Sequence, residues 1–332
     1  MELGVFESPG KEWDEFAFQY TDLIFYQSIW SEVLKRGLGG QPLYFYLREG
    51  EKIVAGLPGV LLNFKIFKIL YASIPYGHLI GEKSYYSVFL EMLEKEFRRR
   101  GIDQVRLTES PFSESYSPES FSPIPTKCTL LDLRRCDKEK IWEGYRSEAR
   151  RAVRKAQKHG FSIRKATKRN EMEIFYQLYH SSMERNRAVT KYPRHWFTTL
   201  FDILIQQKKA DVLFAIKDDQ YAAGVVLVYS DSSAHYLHNG SSKSYLENRP
   251  NDLIVDYIIR QGVEERKSTL DFMGSDPNDL PLLRFKEKWG SRSTELRTFV
   301  KDYRLFRSKI WELGKRFAAS NLGSKVTRWL RR

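Results

Sequence analysis

The sequence predicts an α/β (α+β) protein: two similar domains in tandem, followed by a basic helical tail. Three observations predict it. The chain has 332 residues, a two-domain length at roughly 150 residues per domain. Helical and strand-like segments are interleaved with hairpin-length links. Their order in the first half returns in the second at a spacing of roughly 150 residues, too long for a solenoid and suited to a repeated domain. The expected boundaries are 1–133, 134–302 and 303–332.

In the first half, 28–38 reads as a helix with Ser28 as N-cap and a stop near Gly37. Strand-like runs follow at 42–48, 52–62 and 66–74, with turns at Gly50 and Asn63. In 84–99 the residues Tyr86, Phe89, Leu90, Leu93 and Phe97 repeat at helical spacing, and Gly101 stops the helix. A strand is expected at 104–108, a Ser/Pro-rich loop at 110–125 and a strand at 130–133. The second half opens with one long basic helix, 138–158, ended by Gly160. Then come a strand at 161–166, helices at 171–184 and 194–207, and strands at 211–217, 221–229 and 233–238. A helix over 251–266 starts after Pro250; a strand at 269–273, a short helix near 280–288 and a strand at 295–300 complete the domain. The tail reads as basic helices over 303–318 and 322–331, broken at Gly323.

Composition excludes several classes. Hydrophobic residues make up 42% and aromatics 14% of the chain, too much apolar material for a disordered protein. The longest apolar run, around Ala222–Val228, is about eight residues, against ~20 for a membrane-spanning helix. The opening MELGVFESPGKEW lacks a basic segment followed by an apolar core, so no secretory leader is expected. Two cysteines, Cys128 and Cys136, are too few for a disulfide framework or a four-cysteine zinc site and fit a reducing cytoplasm. No HExxH, CxxC or acidic metal loop occurs, so no metal is expected. No P-loop or G-x-S-x-G nucleophile elbow occurs either, which leaves direct attack on an activated donor as the simplest chemistry.

The net charge of +13 is concentrated. Residues 134–169 hold 14 Lys/Arg against 4 Asp/Glu, and 301–332 hold 10 against 2. In the first segment Arg146, Arg150 and Arg154 fall at helical i,i+4 steps, beside Arg151, Lys155 and Lys158. They would make a positive ridge ~25 Å long, suited to a polyanion such as tRNA, a pyrophosphate-linked precursor or anionic lipid. In the tail, Leu305, Phe306, Ile310, Leu313 and Phe317 form one apolar stripe and Val326, Trp329 and Leu330 another among Lys and Arg, a pattern suited to an anionic membrane surface. Arg249 and Asn251, at the start of the helix after Pro250, are phosphate-binding candidates, because a helix N-terminus presents unpaired N–H groups. Asp271, at a strand end, is the carboxylate best placed to act as a base, with His238 and Asn239 expected at the same cleft.

The stretches YRSEARRAVRKAQKHG, HYLHNGSS…ENRPNDLIVDYIIRQG, LDFMGSD and LLRFKEKWG carry a resemblance that spans about residues 3–302. The chain resembles the tandem-GNAT, Fem-type (FemABX-like) peptidyl- and aminoacyltransferases and the related envelope N-acyltransferases. The resemblance implies two GNAT-like acyltransferase domains and no tightly bound cofactor. It implies an acyl or aminoacyl transfer from acyl-CoA or aminoacyl-tRNA to an amine of a cell-envelope precursor, a peptidoglycan-type peptide or an amino sugar. It also implies that Phe285 and Lys286 line the reaction channel, Lys286 as electrostatic stabiliser, with Arg284 and Trp289 beside them. The Tyr76–Leu79 turn would contact the acceptor, and Arg187, with Lys191 and Tyr192, would cover the cleft. Two features depart from the pattern. The coiled-coil arm of many Fem proteins has no counterpart, and the loop Leu246–Asn251 lacks the glycines of the usual coenzyme A loop. Two further readings remain open: an acetyl-CoA-dependent GNAT N-acetyltransferase of surface polysaccharide biosynthesis, and a non-catalytic nucleic-acid or membrane adaptor. The expected location is cytoplasmic, with peripheral contact at the inner membrane face.

Overall fold

The structure, a computed structural model, describes residues 1–319 apart from Lys65, Ser115, Arg135, Cys136 and Arg187. The chain divides into two compact units, residues 1–125 with 296–332, and residues 126–295. Both boundaries therefore fall earlier than the sequence suggests, and residues 296–319 group with the first unit.

Unit 1 begins with elements that the sequence reading passed over: β1 (Glu2–Phe6) and α1 (Lys11–Phe18). The first turn of α1 has no side-chain cap, so the usual start signal is missing. What holds it is burial of Trp13, Phe16 and Ala17, with the Trp13 indole N–H donating to the Tyr26 carbonyl at 2.6 Å. Then come α2 (Ser28–Leu38), β2 (Gln41–Pro42), β3 (Tyr44–Glu49), β4 (Lys52–Leu57), β5 (Val60–Phe64), β6 (Phe67–Tyr71), β7 (Ile80–Gly81), α3 (Tyr86–Arg99) and β8 (Gln104–Thr108). The single strand expected over 52–62 is two. Pro58 has no N–H to give a ladder, and Gly59 packs where a Cβ would sit 2.3 Å from the Leu43 carbonyl oxygen. The strands before and after this break join different sheets, one ordered β1-β3-β4-β7 and the other containing β2-β5-β6-β8. Helix α3 buries the five residues that its periodicity predicts.

The chain passes into unit 2 along β9 (Ser122–Asp132), which starts inside the expected loop. There follow α4 (Lys138–Gly144), α5 (Ser147–Lys158), β10 (Ser162–Lys165), α6 (Glu171–Arg185), α7 (Arg194–Leu200), β11 (Ala210–Lys217), β12 (Gln220–Tyr229), β13 (Ser233–Ser241), α8 (Pro250–Glu264), β14 (Thr269–Ser275) and α9 (Leu280–Glu287). Strand β15 (Arg292–Asp302) leads back to unit 1, where α10 (Leu305–Ala319) follows. The expected second tail helix, 322–331, lies outside the described residues.

The unit 2 sheet runs β10-β11-β12-β13-β14-β9 and is antiparallel apart from β13 and β14. These two pair in parallel over only three residues, Ser233–His235 with Thr269–Asp271. Helices cover both faces. Leu213, Ala215, Ala223 and Val225 meet Ala149, Val153 and Ala156 of α5 and Ile254, Ile258 and Ile259 of α8 in one core. On the other face Phe175 of α6 packs on Phe214 at 6.4 Å between ring centres, and α6 passes so close to Gly240 that a Cβ there would lie 2.4 Å from the Tyr179 backbone nitrogen. Gly240→Ala must push this helix off the sheet. It is expected to cost about 1–3 kcal/mol, seen as a lower urea midpoint with an unchanged far-UV spectrum.

The long basic helix expected over 138–158 is also two. Asp137 caps α4 through the Lys140 N–H at 2.8 Å, and the helix ends at Tyr145, whose backbone is extended. The Arg150 guanidinium donates to the carbonyls of Trp142, Glu143 and Tyr145 at 3.3, 3.0 and 2.6 Å, filling acceptors that the end of α4 leaves open. A continuous 25 Å ridge therefore does not exist.

Candidate functional site

Helix α8 sets the site. A 3₁₀ turn, Lys243–Asn248, leads to Arg249 in the left-handed conformation (φ 64°), and Pro250 takes the first helical position, where a missing N–H is harmless. Asp252 lies in the first turn, where a negative charge suits the helix dipole. Its carboxylate is buried and bonds the Lys288 ammonium, at the end of α9. Lys288 also lies 4.6 Å from the centre of the Phe285 ring and 5.2 Å from that of Trp289. Its own carbonyl accepts the Arg146 backbone N–H at 2.8 Å, just before α5 starts.

This arrangement draws α5, the start of α8 and α9 around a groove of about 440 Å³, lined by Glu148, Arg151, Ala152, Lys155, Arg249, Pro281, Arg284, Phe285 and Lys288. Lys288 is committed to Asp252. Among the described residues, Arg151, Lys155, Arg249 and Arg284 have no ion-pair partner, and all four are exposed. Glu148 is the one carboxylate in the lining. Four uncompensated cations beside a helix N-terminus give this cleft the charge to attract phosphate or another polyanion.

The groove unites Arg249, Arg284 and Phe285 from the residues singled out in sequence. Asn251, next to Arg249, is half-buried, and its side-chain oxygen has no hydrogen-bond partner. The groove does not include Arg146, Arg150 or Arg154. Arg146 reaches Glu287 at 3.9 Å, Arg150 closes the α4 carbonyls, and Arg154 stacks on Trp142 at 5.5 Å. The groove-facing cations of α5 are their neighbours Arg151 and Lys155, one residue or about 100° further round the helix. The buried stripe Ala149, Val153, Ala156 shows in the sequence which side of α5 is inward. It does not show which flank meets α8.

Lys286 and Asp271 occupy a different place from the open cleft expected of them. Both are buried. Lys286 Nζ donates to the Met273 carbonyl at 2.8 Å, the Gly274 carbonyl at 3.4 Å and Ser275 Oγ at 2.7 Å. Asp271 Oδ1 accepts the Met273 N–H at 2.7 Å, and Oδ2 lies 3.0 Å from His235 Nδ1. Met273 is a left-handed non-glycine residue (φ 65°) at an irregularity in the β14 pairing. The two charged groups thus bracket this strained turn from its N–H and its carbonyl side. Desolvation by burial pulls the Lys286 pKa down to about 8.

His238 does not share a pocket with Asp271. Its Nε2 accepts the Trp196 indole N–H at 2.9 Å, and Tyr192 and Phe197 pack on its ring at 4.4 and 5.4 Å. Burial lowers its pKa to about 3, so it is neutral at physiological pH and cannot serve there as an acid. Asn239, the next residue on β13, is exposed. Trp289 is a core wedge, edge-on to Tyr145 at 5.0 Å. Tyr76 is buried in unit 1, edge-on to Phe25 at 5.8 Å, and does not present itself to a ligand. Arg187 lies outside the described residues. No group of metal-ligating side chains occurs among the described residues.

Two stability measurements test this reading. Lys288→Met strands the Asp252 carboxylate and is expected to cost about 3–5 kcal/mol in urea unfolding, most of it recovered when Asp252→Asn is added. For Lys286, the folded pKa of about 8 lies below the ordinary 10.5, so between these values the unfolded chain holds more protons and the folded state gains stability as pH rises. Relative to Lys286→Met, the wild type should gain about 3 kcal/mol between pH ~7.5 and ~10.5.

Residues 143–287 match the family described as acetyltransferase (GNAT) domain. No curated protein matches the chain by sequence. Among solved structures the chain is similar to FemX, with a TM-score of 0.69 at 14% identity over 93% of this chain and 99% of that one. It is similar to L-PGS from Bacillus licheniformis, with a TM-score of 0.60 at 11% identity over 92% and 97%. It is also similar to a tandem GNAT protein from the clavulanic acid biosynthesis pathway, with a TM-score of 0.58 at 11% identity over 91% and 98%. No described helix is long and apolar enough to cross a membrane. Residues 143–287 thus match the GNAT acetyltransferase family, and the chain as a whole has a fold similar to those of FemX and the tandem GNAT protein.

Proposed function

We propose that the protein is a cytoplasmic N-acyltransferase that moves an aminoacyl or acyl group from a phosphate-bearing donor to an amine of a cell-envelope precursor, with the donor's phosphates in the α5–α8–α9 groove. The observation that carries this reading is the convergence of Arg151, Lys155, Arg249 and Arg284 on one cleft at the start of α8. The amine nitrogen attacks the donor carbonyl carbon and forms the amide bond. The ester C–O or thioester C–S bond breaks, the leaving group takes the electron pair, and the proton shed by the amine passes to water. The cations act by holding and neutralising the leaving half of the donor. Asp271 and Lys286 act indirectly, by fixing the β14 turn.

Aminoacyl-tRNA is the donor this groove suits best. The 3₁₀ turn before α8 has no glycine, so a compact pyrophosphate cannot be wrapped by bare backbone. Long, spaced guanidinium and ammonium groups match the distributed charge of a nucleic-acid end instead.

The test is a salt-resolved binding titration with charged tRNA and with acetyl-CoA. Charged tRNA should bind with steep salt dependence. Arg151→Glu with Lys155→Glu should weaken it at least about tenfold and flatten the log–log salt slope by about 0.7–0.9 per lost contact. Arg154→Gln should leave it nearly unchanged. Saturable binding of acetyl-CoA alone would turn the reading to a coenzyme A-dependent N-acetyltransferase, and wild-type tRNA binding by the double variant would remove the groove from the argument.

A further inference from the structure

Helix α10 turns apolar side chains to solvent as well as to the protein. Its protein-facing side carries an ion pair and an aromatic contact. Arg307 bonds Asp103 at 3.0 Å, Ser308 is buried, and Trp311 stacks on Phe67 at 5.1 Å and lies 4.6 Å from the Phe64 ring. Its outward side is apolar: Phe306 is 76%, Ile310 44% and Leu313 64% exposed. At 100° per residue these three fall within an arc of about 60°, flanked by Leu305 and the exposed Lys309. An ordinary surface helix keeps its outward side polar. Next to it, the β5–β6 hairpin that Trp311 covers exposes Phe64 and Ile66 as well.

We propose that this face of α10, with the tip of the β5–β6 hairpin, docks on the surface of an anionic lipid bilayer. Phe306, Ile310 and Leu313 enter the acyl boundary, and Lys309 and neighbouring basic residues meet the headgroups. The choice of occupant rests on charge. Of the 10 Lys/Arg in residues 301–332, Lys301, Arg304 and Arg307 pair with Glu94 and Asp103, and seven further Lys/Arg against 2 Asp/Glu in that stretch give a same-sign excess that matches acidic headgroups. The helix is too short and too charged to span, so it lies in the plane of the interface. This surface belongs to unit 1 alone and does not depend on the donor groove of unit 2.

The experiment is co-sedimentation of the full chain with phosphatidylcholine vesicles with and without about 30 mol% phosphatidylglycerol, at low and high salt. The wild type should bind the anionic vesicles only, and Phe306→Asp with Leu313→Asp should lower its partition by about tenfold or more. The same variant should keep its far-UV spectrum and its donor binding, which separates loss of docking from loss of fold or of the groove. Failure to bind anionic vesicles at low salt overturns the proposal. So does equal binding by the double variant, which would leave charge as the whole effect. A wild-type dimer that the variant dissociates overturns it too, because a second copy would then cover the face.

Discussion

Lys288 is the side chain on which the groove depends. Its ammonium is held by the buried Asp252 carboxylate in the first turn of α8. Its carbonyl holds the Arg146 N–H that begins α5, and its ammonium also lies over the rings of Phe285 and Trp289 at the end of α9. One residue thus fixes where three helices meet. A buried ion pair of this kind adds little net stability, since desolvation offsets much of the attraction. Its contribution is positional, because neither charge tolerates being left without the other. The four outer cations can then face one another across open solvent without any structural duty.

The same domain holds a second buried ammonium with a different task. Lys286, two residues earlier on α9, points to the turn at Met273 and supplies donors to its carbonyls, while Asp271 takes the N–H from the opposite side. These are charged groups in an apolar setting with a perturbed amine, the features that usually mark chemistry. Here the partners account for them. They maintain a left-handed residue in β14 just beyond the three-residue pairing with β13. Geometry, more than residue type, separates a group that acts on a ligand from one that shapes the backbone beside it.

The basic excess is likewise divided by position. On α5, side chains one residue apart have unrelated roles: Arg150 closes carbonyls and Arg154 lies on an indole, whereas Arg151 and Lys155 reach the groove. At α10, Arg304 just before the helix and Arg307 in its first turn pair with Asp103, while Phe306, Ile310 and Leu313 are turned out. A sequence-wide charge of +13 therefore resolves into local surfaces with different contacts within the fold.

The α/β class, the helix over 84–99, the strands of the second half and the start of α8 at Pro250 were all readable from the chain, because local periodicity, proline and capping chemistry act over a few residues. Arg249, Arg284 and Phe285, site candidates in the sequence, do line one groove. Local signals also misled. The apolar run 52–62 hides a sheet change at Pro58–Gly59, and the basic run 138–158 hides a helix break that Arg150 closes by reaching back eight residues to Trp142. Only the tertiary structure decided that Asp271 faces His235, that His238 faces Trp196, and that Lys288 rather than Lys286 joins the groove wall. Those outcomes depend on which flank of each helix meets which strand end, a relation between distant segments that short-range spacing does not encode.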